Sequence, residues 1–234
     1  MKKFIGKKSF QMAFFYVIMH VVLFYSLFAL KPPVLSASVS VNNRVIAIDA
    51  GHGEWDPGKQ SRNVSEKDIN LEISEKLQSL FELNGAIVFS TRSDDTALAG
   101  RKREDLSSRA RIANSAGADI YISIHQNSFE SASVSGAQVF YHESSEKSKA
   151  LAELIQNRLN SFVGTHKGQT MKRTAKSGET YYVLKKTEMP AVIVECGFMS
   201  NRRDLELLQD EEFQEKIAWA IYLGVSDYFM KTGK

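Results

Sequence analysis

RVIAIDAGHGEWDPG, residues 44–58, is the stretch that decides the architecture. Val45, Ile46, Ala47 and Ile48 make an apolar, β-branched run too short for a helix, which predicts a buried parallel strand. Gly51 ends it. The residues that follow, His52, Gly53, Glu54, Asp56, Pro57 and Gly58, are turn formers that cannot continue a strand. A histidine is thus held at the C-terminal end of a strand, where open α/β sheets place their ligands.

Downstream the pattern alternates. Ser65 with Asp68 resembles a capping box with Asp in place of Glu, and Ile69, Ile73, Leu77, Leu80 and Phe81 recur at helical spacing until Asn84 and Gly85. Residues 86–91 read as a second strand, 94–103 as a polar charged loop and 106–116 as a helix. Residues 120–124 form a third strand ending at His125, 136–141 a fourth, and 149–162 an amphipathic helix through Leu151, Leu154, Ile155, Leu159 and Phe162. A long loop spans 164–180, a buried strand at 191–194 ends at Glu195, and 213–229 is a closing helix. Strands alternating with helices predict an α/β fold: one domain at 41–234 with a largely parallel central sheet flanked by helices.

Residues 1–40 stand apart. Four lysines precede residues 10–30, a run of 21 without Asp, Glu, Lys or Arg, closed by Lys31, Pro32 and Pro33. About 20 such residues span a bilayer, and the lysine bias puts the N-terminus in the cytoplasm and the rest outside. The small residues of SASVS also fit a cleaved signal peptide; the length of the run favours a retained anchor. Both readings export the domain. Five of the 30 basic residues and none of the 27 acidic ones lie in this segment, so the domain carries 25 against 27 and offers no basic surplus for nucleic acid. The lone Cys196 excludes an internal disulfide and a cysteine-based zinc cluster, and its alternation places it in the core.

Three strands end in a group capable of metal or acid/base chemistry: His52, His125 and Glu195. In a parallel sheet these ends share one edge, and Glu66, in the first turn of the helix after the His52 loop, faces the same edge. Two histidines and a carboxylate can hold a catalytic zinc, with a further carboxylate for protons. Taken singly, Glu66 also reads as a helix-dipole residue and His125 as a hydrogen-bonded strand-end histidine. Glu195 is harder to explain away, because a carboxylate closing an apolar strand is costly to bury without a partner or a function.

The blocks DAGHG, SEKDINLEIS, TRSDD, LSSRARIAN, SIHQNS, SGAQVFYH and YYVLKKTEMPAVIVECGFMSN resemble, in order, the type 3 zinc-dependent N-acetylmuramoyl-L-alanine amidases. The short form, with an N-terminal hydrophobic segment and no wall-binding repeats, is most similar to the germination-specific (spore cortex) members. The resemblance implies zinc held by His52, Glu66 and His125, with Glu195 as the catalytic carboxylate. It implies peptidoglycan as substrate, cleavage between N-acetylmuramic acid and L-alanine, and functional coupling to a muramic acid deacetylase. Ala50 and Glu54 replace the proline and glycine usual in the metal loop, which predicts a less constrained loop and, with no module left to hold the polymer, an exported activating partner. Glu54 reads as solvent-facing rather than as an extra ligand. Only residues 126–135 separate His125 from the next strand, too few for a helix that blocks the site. Lys172, Arg173 and Lys176 are candidate contacts for stem-peptide carboxylates, or simply parts of a solvated loop. Two rivals share the ligand set: a zinc-stabilised stem-binding wall protein without catalysis, and a zinc peptidase on the same scaffold.

Overall fold

The computed structural model describes residues 16, 18–20 and 40–233. Residues 16 and 18–20 are helical, with His20 Nδ1 2.8 Å from the Tyr16 carbonyl oxygen. The rest of the hydrophobic run at 10–30, and with it the choice between anchor and signal, lies outside the described residues. Among the described residues no helix is long and apolar enough to cross a membrane.

From residue 45 the chain runs β1 (Val45–Ala50), β2 (Gln60–Ser61), β3 (Val64–Ser65), α1 (Glu66–Leu83), β4 (Ile87–Ser90), α2 (Lys102–Ser115), β5 (Ile120–Asn127) and β6 (Gln138–Tyr141). It continues through α3 (Glu146–Phe162), β7 (Thr165–His166), β8 (Gln169–Thr170), β9 (Lys176–Ser177), α4 (Tyr182–Lys186), β10 (Ala191–Phe198), α5 (Arg202–Leu208) and α6 (Glu211–Thr232). Six strands form one sheet in the order β4-β1-β5-β10-β6-β9. The first four are mutually parallel and β6 runs antiparallel to β10, so the sheet is largely parallel as the alternation of apolar runs predicts.

Strand alternation sorts the core into two layers. Ile46, Ile48, Ile120, Ile122, Ile124, Val192 and Val194 face one side, where they bury against Ile73 and Leu77 of α1, Leu151 and Ile155 of α3, and Ile217 and Ile221 of α6. Ala47, Tyr121, Ala191 and Ile193 face the other, under Ala113 of α2 and Val183 and Leu184 of α4. Cys196 belongs to the first layer and is buried.

Several local expectations are corrected. Ser65 stands at the N-cap of α1, but its side chain makes no capping bond. The metal loop does that work instead: Glu66 N–H donates to the Lys59 carbonyl at 2.9 Å and Lys67 N–H to that of Pro57 at 3.2 Å. Helix α2 begins at Lys102, inside the stretch read as loop, and β5 and β10 continue past His125 and Glu195 rather than stopping there. The region 164–180 contains three two-residue strands, and the short helices α4 and α5 have no counterpart in the periodicity. Between β5 and β6, residues 128–137 contain no helix.

Candidate metal centre

The strand faces dictate the site. Odd-numbered residues of β1, β5 and β10 point to the α2/α4 side, which puts Asp49, His125 and Glu195 on one face at the sheet's C-terminal edge. Glu195 pairs in register with His125 on the adjacent parallel strand. The loop after β1 then carries His52 back over the same edge, and α1 supplies Glu66.

These side chains converge on one oxygen. Glu66 Oε1 lies 3.2 Å from His52 Nε2 and 2.9 Å from His125 Nδ1, and the two imidazoles meet edge to face with centroids 4.9 Å apart. One ligating atom from each of His52, Glu66 and His125 falls within 4.8 Å of the others. A tetrahedral zinc with bonds of about 2.0–2.1 Å separates its ligands by roughly 3.3 Å, so this donor set fits the ion. Glu66 is itself oriented: Oε1 accepts from Gln126 N–H at 3.1 Å and Asn70 Nδ2 at 3.4 Å, and Oε2 from Lys59 N–H at 2.8 Å. Burial opposes ionisation of Glu66, but the two histidines outweigh it and hold the carboxyl far below its usual range. His52 shows the converse. Burial disfavours its charged form, yet bonding to Glu66 and Asp56 raises its pKa above the ordinary value. Asp56 Oδ2, 2.9 Å from His52 Nδ1, fixes the ring as an outer carboxylate does for a ligating histidine. Gly51 is required by closeness, since a Cβ there would stand 2.3 Å from the His125 ring.

The loop that presents His52 is held by two buried arginines. Arg92 donates from Nε to the Ala50 carbonyl at 2.8 Å and from Nη2 to that of Gly51 at 3.1 Å. Arg109 donates to the carbonyls of Ala50 at 2.8 Å and His52 at 2.7 Å. Its other partners are Asp49 at 2.8 Å and Asp105 at 2.6 Å. Asp49 also accepts from Thr91, Tyr121 and Ser123 hydroxyls at 2.7, 2.7 and 2.6 Å. Burial works against its charge, but Arg109 and these donors keep Asp49 well below the normal carboxylate range. The network also secures His52 at φ +64°, a left-handed conformation costing a non-glycine residue on the order of 1 kcal/mol. Consecutive carbonyls from Ala50 to His52 are each engaged.

Arg109→Leu would leave Asp49 and Asp105 buried without their cation. It is expected to lower stability by about 3–5 kcal/mol, read as a shift in urea midpoint with unchanged m-value. A loss below about 1 kcal/mol, the worth of a surface pair, would show the network to be dispensable.

Glu195 completes the cluster. Its Oε2 is buried without a hydrogen-bond partner, and burial together with the charge of Glu66 pushes its pKa up to about 8. Beside it, Tyr181 packs on Phe140 with centroids 5.3 Å apart, and burial plus the charge of Glu195 raises its phenol to about 12. Glu54 is exposed, accepts from Ala97 N–H at 3.3 Å and stays outside the ligand group. Arg173 does not extend to solvent as a loop residue would. Its guanidinium donates to Gln138 Oε1 at 3.1 Å and to the Ser135 carbonyl at 3.2 Å, and lies 5.0 Å from the Phe198 ring centroid. Lys172 and Lys176 are exposed.

Comparison with known proteins agrees with this geometry. The sequence profile described as N-acetylmuramoyl-L-alanine amidase matches residues 46–227. The germination-specific N-acetylmuramoyl-L-alanine amidase of Bacillus subtilis is 33% identical over 204 residues, 84% of this chain and 84% of its own. The amidase LytC of the same species is 34% identical over 191 residues, 81% of this chain and 36% of that protein. Among solved structures, the CwlD amidase of Clostridioides difficile in complex with the GerS lipoprotein aligns with a TM-score of 0.75 at 40% identity, covering 81% of this chain and 100% of that one. By sequence profile, by relatives and by fold, this chain belongs to the N-acetylmuramoyl-L-alanine amidase family.

Proposed function

We propose that the protein is a zinc-dependent hydrolase that cleaves the amide between the lactyl group of N-acetylmuramic acid and the L-alanine of the peptidoglycan stem. The observation that carries this reading is the meeting of His52, Glu66 and His125 beside the half-buried Glu195, whose Oε2 is buried without a hydrogen-bond partner. The two histidines and Glu66 hold the ion. The chemistry zinc supplies when bound is polarisation of a carbonyl and provision of a hydroxide nucleophile at neutral pH. Asp56 and Arg109 keep His52 aimed at the ion's position, the first through the ring and the second through the backbone. Glu195 moves the proton. Hydrolysis breaks the C–N bond, adds hydroxide to the acyl carbon and requires a proton on the departing nitrogen, because an amine leaves only when protonated. Glu195, on the strand beside His125, is placed to take a proton from water in its ionised form and give it to the amine.

Similarity to the germination-specific enzyme supports a role in spore peptidoglycan; functional coupling to a muramic acid deacetylase that acts after stem removal is part of the same proposal. Residues 1–40 serve as anchor or export signal, so the site works outside the cytoplasmic membrane. A second exported protein assists. A solved relative, the CwlD amidase in complex with the GerS lipoprotein, supports that expectation.

Digesting peptidoglycan with the full chain, with and without chelator, tests the reaction by mass spectrometry of the muropeptides. New L-alanine amines that disappear with chelator are expected. New D-amino acid termini would mean a peptidase, and unchanged polymer with retained binding would mean a wall-binding protein.

A further inference from the structure

Helix α2 begins at the same sheet edge as the metal cluster, and its first turn touches the metal loop. Lys102 Nζ is paired with Asp56 and lies 3.4 Å from His52 Nδ1. Its sequence neighbours Arg101 and Arg103 are turned away into a separate cleft of about 400 Å³ between α2 and α4, lined by Arg101, Arg103, Glu104, Ser107 and Tyr182. That volume is within the range of small-ligand sites.

The cations differ in how they are compensated. Lys102 is neutralised by Asp56, and Arg101 lies 3.5 Å from Glu104 in an exposed pair of the kind that contributes little. Among the described residues Arg103 has no carboxylate within 4.0 Å. The cleft therefore offers an uncompensated guanidinium, whose planar fork matches a carboxylate, together with the phenol of Tyr182 as a further donor. Its position is set from two sides: Lys102 ties one wall to His52, and Tyr182 follows Tyr181, which is near enough to Glu195 to feel its charge.

We propose that this cleft binds the peptide arm of the substrate through a free carboxylate, with Arg103 and Arg101 as the residues that select for it. The inference rests on the amidase reading. In that reaction the lactyl carboxyl is tied up in the scissile amide, so the peptide arm is the part of the substrate left to supply carboxylates next to the bond. With the amide at the metal and Glu195, the arm enters the space that α2 and α4 enclose. Arg173, whose guanidinium is engaged inside the protein, is replaced in this role by the start of α2.

The test measures binding without turnover. The full chain is titrated by calorimetry with the dipeptide L-alanyl-γ-D-glutamic acid and with its α-amide. The wild type is expected to prefer the free acid about tenfold, as one charge-assisted contact in a partly exposed site would give. The double variant Arg101→Gln, Arg103→Gln is expected to bind both peptides alike and, on muropeptides, to raise KM while kcat holds. Equal binding of the two peptides by the wild type, or an undiminished preference in the double variant, overturns the proposal. Failure of the wild type to release L-alanine amines from muropeptides would instead defeat the amidase reading, which the calorimetry does not depend on.

Discussion

His125→Ala is expected to lose zinc and amide hydrolysis together, with metal affinity falling by more than about 100-fold, the upper range for losing a mere outer-shell partner. The ring is one of three donors around a single point, and its loss leaves only two. Glu66 Oε1 is already shared with His52, Glu54 lies outside the group, and Gln126 on the same strand donates its backbone N–H to Glu66. His52→Ala should behave alike. Both variants should remain folded, because the core layers are built from residues on other positions of β1, β5 and β10. Zinc content by atomic emission and rate on muropeptides should fall in parallel, while the circular dichroism spectrum stays native. Full zinc occupancy in both single variants would show the ligand set to be wrong.

The strands that carry this chemistry were legible because buried parallel strands read as continuous apolar runs, and each of the three leads into the residue of interest: Ile48 toward His52, Ile124 to His125, Val194 to Glu195. Asp49 sits in VIAIDA as Glu195 sits in AVIVE, an acid closing an apolar strand and equally costly to bury without a partner. Its partner is harder to find. Arg109 lies 60 residues away, and besides the Asp49 and Asp105 carboxylates it binds two backbone carbonyls, which leave no trace in residue spacing. A hint survives in the (i, i+4) pair Asp105 and Arg109 on the same helical stripe as the buried Ala113. TRSDD and LSSRARIAN were visible as blocks, but only the folded chain gives Arg92 and Arg109 a task. Ser65 shows the opposite failure: a residue suited to capping was displaced by loop carbonyls that periodicity cannot reveal. The partners of Arg173 at Ser135, Gln138 and Phe198 were out of reach for a similar reason, because they are remote in sequence.

Glu195→Gln is expected to keep zinc and the fold while losing turnover by about 10² to 10⁴-fold, the usual contribution of a positioned proton-transfer group. The amide has nearly the shape of the carboxyl but cannot pass a proton, so the loss should appear in kcat, with zinc content at the wild-type level. The same variant carries a second, independent signature in the metal-free protein. Burial and the nearby charge of Glu66 raise the Glu195 pKa from 4.5 to about 8 in the folded chain. Below the unfolded value both states hold the proton and no penalty exists. Between the two values the unfolded chain has released its proton and the folded one has not, so the folded state binds more protons and its stability falls as pH rises; above the folded value the penalty is constant. Removing the ionisable group removes that penalty, which amounts to a few kcal/mol for a shift of this size. The melting temperature of metal-free Glu195→Gln should therefore match the wild type near pH 4.5 and exceed it increasingly toward pH 8. A variant that retained near wild-type rates would make Glu195 structural, and one whose melting temperature tracked the wild type across that window would mean that its carboxyl is not held protonated in the fold.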